Sequence, residues 1–434
     1  MKRGDYLKTV EGQISLKHRR QRNKLYFILD GYEPRSKNAI TEAKKIEFQS
    51  AILADMARHG RRHFTAPVAL EFEFRPTEDD PPAIHTMPKN YLDLLQKRVK
   101  GLKTKRERLV LKDDRDVYYL AVQYHIGPER SQPHIWIKAA PYRDFVAEMA
   151  LIEKVQHNNL KHVDNGPFSR RASVSWDELA EDDDLISSRN DAYERLKEHE
   201  SRKQFWVSHF GEASYKAIRE MHIRDLQDEI LKILTLTTDK LISLLSPLFS
   251  RRASIFDKLN AAVRDMLISE PFTINLNHSN LRPGESSRYR AFVKETMAVF
   301  KEDHGVLFPL KTQAGITILF QPPECGSIDL DNLARRIVPF VNEELKPPSN
   351  LIMTFNAEQL PDPELRKWYQ ERQMAMKRMP KHSITHYQVI QLPRLSGDSE
   401  HGFVRLILES GEGFETLWRK IDTLADRWEK KVTR

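Results

Sequence analysis

The feature of this 434-residue chain that most constrains its fold is an internal repeat. Residues 24–60 are typical of a short strand, a turn-rich loop and an amphipathic helix, and residues 271–305 repeat that order. In both copies an alternating strand follows and runs into proline, at Pro76 and at Pro322. The two prolines are 246 residues apart, and the histidines that end the preceding helices are 245 apart. This near-constant offset predicts two α/β units with the same order of elements.

Each copy is expected to continue into a second helix and to finish with a pair of strands. The second helix is expected over 91–103 in the first copy and over 331–345 in the second. The strand pairs are expected over 117–124 and 134–139, and over 384–391 and 403–408. The sequence therefore predicts an α+β fold in which each unit has a mixed small sheet with helices on one face.

We divide the chain into a first unit (1–149), a mainly helical insert (150–268) and a second unit (269–434). The leucines and isoleucines of the insert follow helical spacing, which predicts a bridge between the units or an arm for further oligomerisation. Residues 413–434 have the pattern of an amphipathic helix, which we expect to cap the second unit.

Composition limits the classes of protein. Lys and Arg total 70 against 62 Asp and Glu, and the resulting charge of +8 permits a polyanionic partner without establishing one. A single cysteine, Cys325, excludes an internal disulfide framework and a cysteine-rich zinc site, and it suits a reducing compartment. The longest uncharged apolar stretch, 241–250, is too short for a membrane span. We therefore expect a cytoplasmic protein with no membrane partner.

The most informative short motif is Asp-Leu-Asp-Asn-Leu, which starts at Asp329 and follows a predicted strand and turn. Carboxylates separated by one residue point the same way in extended chain, so Asp329 and Asp331 could face one divalent cation together. Hard cations such as Mg²⁺ prefer carboxylate oxygens, water and phosphate as ligands. The alternative interpretation is that one of these aspartates only caps the helix that begins here.

The order of elements around this motif resembles that of the RusA-type Holliday-junction resolvases. In that family a strand, an Asp-x-Asp-Asn junction and a helix are followed by an acidic pair before the next strand. The resemblance implies a Mg²⁺-dependent endonuclease, with Mn²⁺ as the alternative ion, that acts as a homodimer on four-way DNA junctions. It also implies that both motif aspartates and one aspartate of the later pair hold the metal. A lysine one helical turn after the motif is also important in the family.

The second unit keeps the first half of this pattern. Both motif aspartates and the asparagine are present, and Arg335 stands at the position of the lysine. The later acidic pair is missing, because Lys381 and His382 stand before the next strand. Asp362 and Glu364, in an insertion that precedes them, are the only acids that we consider as substitutes.

The first unit keeps the other half. Tyr91 stands at the first motif aspartate, Asp93 at the second and Lys97 at the lysine. The acidic pair is retained as Asp113 and Asp114, directly before the predicted strand. Between the two acidic elements lies a basic run that either binds backbone phosphates or forms a solvated loop. Its members are Arg98, Lys100, Lys103, Lys105, Arg106 and Arg108.

This division of acids predicts a single-chain pseudo-dimer with at most one competent nuclease site. Three carboxylates are usually needed to hold a nuclease metal and leave room for water and phosphate. The first unit has more acids, and the second has the better-preserved motif. A composite site with acids from both units requires that the two motifs meet in space. The rival interpretation is a catalytically inactive protein that binds branched DNA or recruits other proteins.

Overall fold

A computed structural model gives the fold. It describes residues 3–7, 9–36, 39–78, 81–125, 132–162, 194, 201–234, 241–242, 245–246, 249, 273–276, 286–304, 307–325, 328–346, 356–360, 362–394, 400–411 and 414–433. The described helices are α1 (Arg3–Tyr6), α2 (Val10–Asn23), α3 (Glu42–Arg58), α4 (Met87–Gln96), α5 (Tyr142–His162), α6 (Lys203–Leu234), α7 (Ser286–Asp303), α8 (Leu330–Leu345), α9 (Pro363–His382) and α10 (Leu417–Val432). None of these helices is long and apolar enough to cross a membrane.

The fold is mixed α+β and is built on one sheet. Its strands are β1 (Leu25–Asp30), β2 (Val68–Arg75), β3 (Val117–Tyr124), β4 (His134–Pro141), β5 (Thr273–Leu276), β6 (Ala314–Gln321), β7 (Ile384–Gln391) and β8 (Phe403–Ser410). The eight strands lie in the order β1-β4-β2-β3-β7-β6-β8-β5. The sequence led us to expect a small sheet in each unit, whereas antiparallel pairing of β3 with β7 joins all eight strands into one continuous sheet.

Strand pairing follows the same scheme on both sides of this junction. β2 is parallel to β3 and antiparallel to β4, and β6 is parallel to β7 and antiparallel to β8. Both parallel pairs have a register irregularity after their first residue, at Val68 and at Ala314. The edge strands β1 and β5 are antiparallel to β4 and β8. The strand order therefore reads alike from either edge of the sheet.

Apolar cores lie on both faces of the sheet, which corrects the expectation of helices on one face. Side chains alternate along β2, so Leu70 packs into one core and Ala69 into the other. The first core contains apolar residues of α3, α4, α7 and α8. The second contains residues of α5 and α10. Helix α5 continues through the expected boundary at residue 150 into the insert.

The C-terminal helix α10 extends beyond its expected place. Trp418 packs in the second core with residues of both halves of the sheet, but the charged residues of α10 contact the first half. Nε of Arg419 lies 2.6 Å from Glu71 on β2, whose side chain is fully buried. Asp422 lies 2.7 Å from Nζ of Lys138 on β4. The helix therefore packs on the second unit, as expected, and also covers the junction and ties to the first unit.

Candidate metal centre

The antiparallel pairing of β3 with β7 brings distant parts of the chain together at the ends of the central strands. Near its start, β3 pairs through Tyr119 with Ile390 at the end of β7. Ile390 in turn pairs with Leu319 near the end of β6. The residues that precede β3 therefore lie at the same end of the strands as the residues that follow β6. This geometry places Asp114 beside the motif that contains Asp329 and Asp331.

These three aspartates form the acidic group of the site. Each offers a carboxylate oxygen, and the three oxygens lie within 4.8 Å of one another. Asp114 begins the 3₁₀ turn that leads into β3, and Asp329 is the residue before α8. Asp331 lies in the first turn of α8 and is only 2% exposed. Of the alternatives left open by the sequence, the structure brings together the composite set.

Asp329 is in the N-cap position, but its side chain makes no capping hydrogen bond to the helix backbone. Its Oδ2 instead accepts a hydrogen bond from Nδ2 of Asn332 at 2.9 Å. Nε of Arg115 lies 3.8 Å from the other oxygen of Asp329. The asparagine of the motif therefore orients the first aspartate, and the carboxylate is not used as a simple helix cap.

A lysine from α4 enters the acidic group. Nζ of Lys89 donates a hydrogen bond to Asp114 and lies 3.4 Å from Oδ2 of Asp331 and 3.7 Å from Asp93. Burial acts to lower the pKa of Lys89, but the hydrogen bond to Asp114 and the nearby carboxylates outweigh it and raise that pKa. Lys89 is therefore a fixed cation that neutralises part of the acidic charge.

The three carboxyl groups differ in their electrostatics. Burial raises the pKa of Asp331 to about 6, and Asp114 and Asp329 add to this rise. Burial also raises the pKa of Asp329, together with the charge of Asp114. Burial acts in the same direction on Asp114, but its hydrogen bond with Lys89 outweighs this and lowers its pKa. The buried end of the group therefore disfavours negative charge even though Lys89 is near, and a further cation would favour it.

The other acidic and basic residues predicted for the site lie around this group. Asp113 is exposed and caps the 3₁₀ turn by accepting a hydrogen bond from the backbone N–H of Arg115. Asp93 reaches Lys89, and neither Asp93 nor Asp113 belongs to the set of three oxygens. Lys97 is exposed at the end of α4, and its backbone forms an isolated bridge with Arg108.

Two further positions matched to the motif, and one acid considered as a substitute, also lie outside the set of three oxygens. Tyr91 is fully buried in the middle of α4, because this helix begins at Met87 rather than at Tyr91 as expected. Arg335 is exposed on α8, where its charge acts on His85. Asp362 caps α9 by accepting hydrogen bonds from the backbone N–H groups of residues 364 and 365. It therefore has a structural role of its own.

The basic run forms the loop between α4 and the turn of Asp114. Arg98, Lys100, Lys103 and Lys105 are exposed, and Arg106 and Arg108 are half-buried. The loop leaves α4 at Lys97 and returns where the backbone N–H groups of Val110 and Leu111 donate to Leu95. The basic loop therefore starts and ends at helix α4 and leads directly into the turn that carries Asp114.

Lys89 was missed by sequence reasoning. Its signal was present, because Lys89 and Asp93 are spaced as neighbours on one helix face. We expected the helix to begin at Tyr91, so Lys89 lay outside it. The spacing of Lys89 and Asp93 therefore did not predict a contact between them. The pocket that Arg62 and His63 form with the basic loop was missed as well, since these residues lie 35 or more positions before the loop.

The donor set of the acidic group suits a hard divalent cation. Its ligands are carboxylate oxygens, and no cysteine or histidine is part of the set found among the described residues. Both oxygens of Asp331 are buried without a hydrogen-bond donor of good geometry in the described part of the chain. A cation would relieve that unmet acceptor capacity.

Comparison of the chain with models of protein families, with curated proteins and with solved structures gave no match.

Proposed function

We propose that this protein is a Mg²⁺-dependent, structure-selective DNA endonuclease, similar to the RusA-type resolvases and acting as a single-chain pseudo-dimer. The observation that carries this proposal is the convergence of Asp114 with Asp329 and Asp331, which come from opposite halves of the sheet. Asp329 and Asp331 are near neighbours in the chain, but sequence separation gives no reason for Asp114 to meet them. A group of three carboxylates, one buried and two partly buried, is costly to fold, and this cost favours a role in cation binding.

The strand pairing supports the pseudo-dimer. β3 and β7 pair symmetrically about Ala121 and Gln388, with Tyr119 opposite Ile390 and Gln123 opposite His386. A two-fold axis through this pair would exchange the first half of the strand order with the second. Such an axis is expected where an isologous homodimer has become one chain.

This symmetry explains why the two units lost different acids. An axis at the β3–β7 junction implies two composite positions, each combining the motif of one unit with the acidic pair of the other. The first position combines the intact motif with the intact pair. In the second, the sequence alignment would combine Tyr91 with Lys381 and His382. Asp93 does not belong to it, because Asp93 lies beside Lys89, which pairs with Asp114 of the first position. The first position therefore carries all three carboxylates, and the second lacks the acids of both elements.

In the proposed reaction, water attacks a phosphodiester of the DNA backbone and one P–O bond breaks. A bound Mg²⁺ or Mn²⁺ would polarise the phosphate and activate the water. Asp114, Asp329 and Asp331 would hold the cation, and Asn332 would keep Asp329 in orientation. Arg115 is largely exposed beside Asp329, where its guanidinium can bind a phosphate oxygen. Lys89 can stabilise the charge that develops on the phosphate.

The test of this proposal is cleavage by the purified protein with Mg²⁺ or Mn²⁺. The substrates are labelled four-way junctions, flaps, duplex and single-stranded DNA. A composite site predicts that Asp114→Asn and Asp331→Asn each lower the rate by at least about 100-fold, since each removes a ligand of the same ion. Asp113→Asn is the matched control and should retain activity, because it removes the same charge one residue away. If the protein cleaves none of these substrates, the proposed endonuclease activity is refuted.

One observation favours the alternative, a catalytically inactive protein that binds branched DNA. Lys89 already neutralises part of the acidic group, as a fixed cation would in a site that has lost its metal. This alternative predicts junction binding that is indifferent to Mg²⁺ and to Asp331→Asn. Manganese binding measured by electron paramagnetic resonance separates the two functions without relying on activity.

A further inference from the structure

A pocket of about 420 Å³ lies where the α3–β2 connection meets the basic loop. Its lining residues are Arg62, His63, Arg106, Glu107 and Arg108. Three arginines thus line one pocket whose lining contains a single acid. Positive charge is concentrated here far beyond the average of the chain, so the pocket attracts an anion.

The arginines of the pocket are not used in ion pairs. None of Arg62, Arg106 and Arg108 makes a salt bridge with a described residue, although Glu107 lies among them. Elsewhere, Arg58 pairs with Asp55 and Arg35 with Glu78. Nη1 of Arg106 lies 4.0 Å from Sδ of Met56, which leaves the remaining donors of the three arginines without a carboxylate partner among the described residues. These donors can bind a ligand. Planar, forked donors of this kind match the oxygens of a phosphate.

The pocket is held by backbone hydrogen bonds, so its form exists before a ligand binds. The N–H of Phe64 donates to Val110 at 2.8 Å and ties the two connections together. Nη1 of Arg98 donates to the carbonyl of Thr104 at 2.7 Å across the loop. Arg61, which precedes Arg62 of the pocket, has its Nε buried without a hydrogen-bond acceptor in the described part of the chain. A preformed arrangement lowers the entropy cost of binding.

The pocket and the acidic group lie close along the chain. Arg108 precedes Asp114 by six residues, so their Cα atoms are at most about 22 Å apart. Each strand of a DNA duplex places one phosphate per roughly 3.4 Å of helix axis. The pocket can therefore contact a phosphate no more than about six nucleotides from one held at the acidic group. Both sites lie on the face of the sheet that carries α3 and α4.

We infer that this pocket, defined by Arg62, Arg106 and Arg108, is a phosphate-binding subsite that holds the nucleic-acid backbone near the acidic group. This inference rests on the proposed function, which supplies the nucleic acid. The phosphate contact would set the register of the substrate strand relative to Asp114 and would carry no sequence information itself.

The experiment compares two double variants in fluorescence anisotropy with a labelled four-way junction, in EDTA so that no cleavage occurs. Arg62→Gln/Arg108→Gln removes two charges from the pocket and keeps much of the side-chain stem. Arg19→Gln/Arg22→Gln is the matched control, since both residues are exposed on α2. The pocket variant should bind about tenfold more weakly, and the slope of log K against log salt should fall by about one. The control should stay within about twofold.

A second measurement keeps the result independent of folding defects. A single methylphosphonate is placed at each position up to about six nucleotides from the bond that is cleaved or, without cleavage, from the branch point. At one position this change should weaken DNA binding by the wild type and leave DNA binding by the pocket variant unchanged. Equal binding by the pocket variant and the control would overturn the subsite, even if the wild type cuts DNA. If the wild type binds no DNA, the assignment to nucleic acid also falls. Stabilisation by inorganic phosphate that only the pocket variant loses would then identify a site for free phosphate.

Discussion

The substitution Asp331→Asn should make the metal-free protein more stable while it removes metal binding. Asp331 is buried beside two other carboxylates, and the fold raises its pKa from 3.8 to about 6. A raised pKa means that the folded state disfavours the carboxylate form relative to the unfolded chain. At pH 7 the negative charge of Asp331 therefore lowers the free energy of unfolding.

The size of this effect follows from the pKa. At about 1.4 kcal/mol per tenfold change in proton affinity, a rise from 3.8 to about 6 corresponds to about 3 kcal/mol. Asparagine has nearly the same shape but buries an amide that needs its own partners, which offsets part of the gain. We therefore expect Asp331→Asn to stabilise the protein by about 1–2 kcal/mol in EDTA. In a chain of 434 residues that unfolds as one unit, this raises Tm by about 1–2 °C.

Divalent cations should reverse the order of stability. At a cation concentration of about 100 times Kd, binding stabilises the wild type by about 2.7 kcal/mol, and the variant gains little. The assay is thermal unfolding at pH 7 in EDTA and in increasing Mg²⁺ or Mn²⁺. Asp113→Asn is the control, because asparagine keeps the cap and the residue is exposed. A variant that is destabilised in EDTA and retains the full cation-dependent rise in Tm would refute this reasoning.

Three further predictions concern other contacts. Lys89→Met should lower stability in EDTA by about 2–4 kcal/mol and raise cation affinity, because it leaves the carboxylates without their fixed counter-charge. Unchanged Mn²⁺ affinity by calorimetry would contradict this. Tyr91→Asp, which restores the acid of the motif, should prevent folding, whereas Tyr91→Phe should cost about 1 kcal/mol. A soluble, cooperatively unfolding Asp variant would contradict it. Arg419→Ala should cost about 2–4 kcal/mol in urea unfolding, because buried Glu71 loses its shortest ion pair, at 2.6 Å, and keeps only Lys138 at 3.8 Å as a counter-charge. Arg427, an exposed arginine of the same helix, is the control. An equal loss of stability in Arg427→Ala would contradict the prediction.

The strands were predictable because strong local signals mark them. Alternating apolar residues flanked by proline and glycine place β2 and β6 within about a residue of their observed limits. The start of α4 was predicted four residues late, because no capping side chain marks it. That error left Lys89 outside the helix. The aspartate pair of the second unit was recognisable because its two members are near neighbours in sequence.

By itself, the sequence determined the order of elements, their repetition and the two halves of an acidic motif. Such features depend on residues that are close along the chain, where spacing and propensity act directly. Only the tertiary structure decided which acids meet. Asp114 joins Asp329 because β3 and β7 pair in antiparallel orientation, and the register of that pairing depends on side chains far apart in the chain. The contact of Lys89 with Asp331 could not be placed before that pairing was known. The pocket of Arg62 depends on a different long-range contact, the backbone hydrogen bond from Phe64 to Val110.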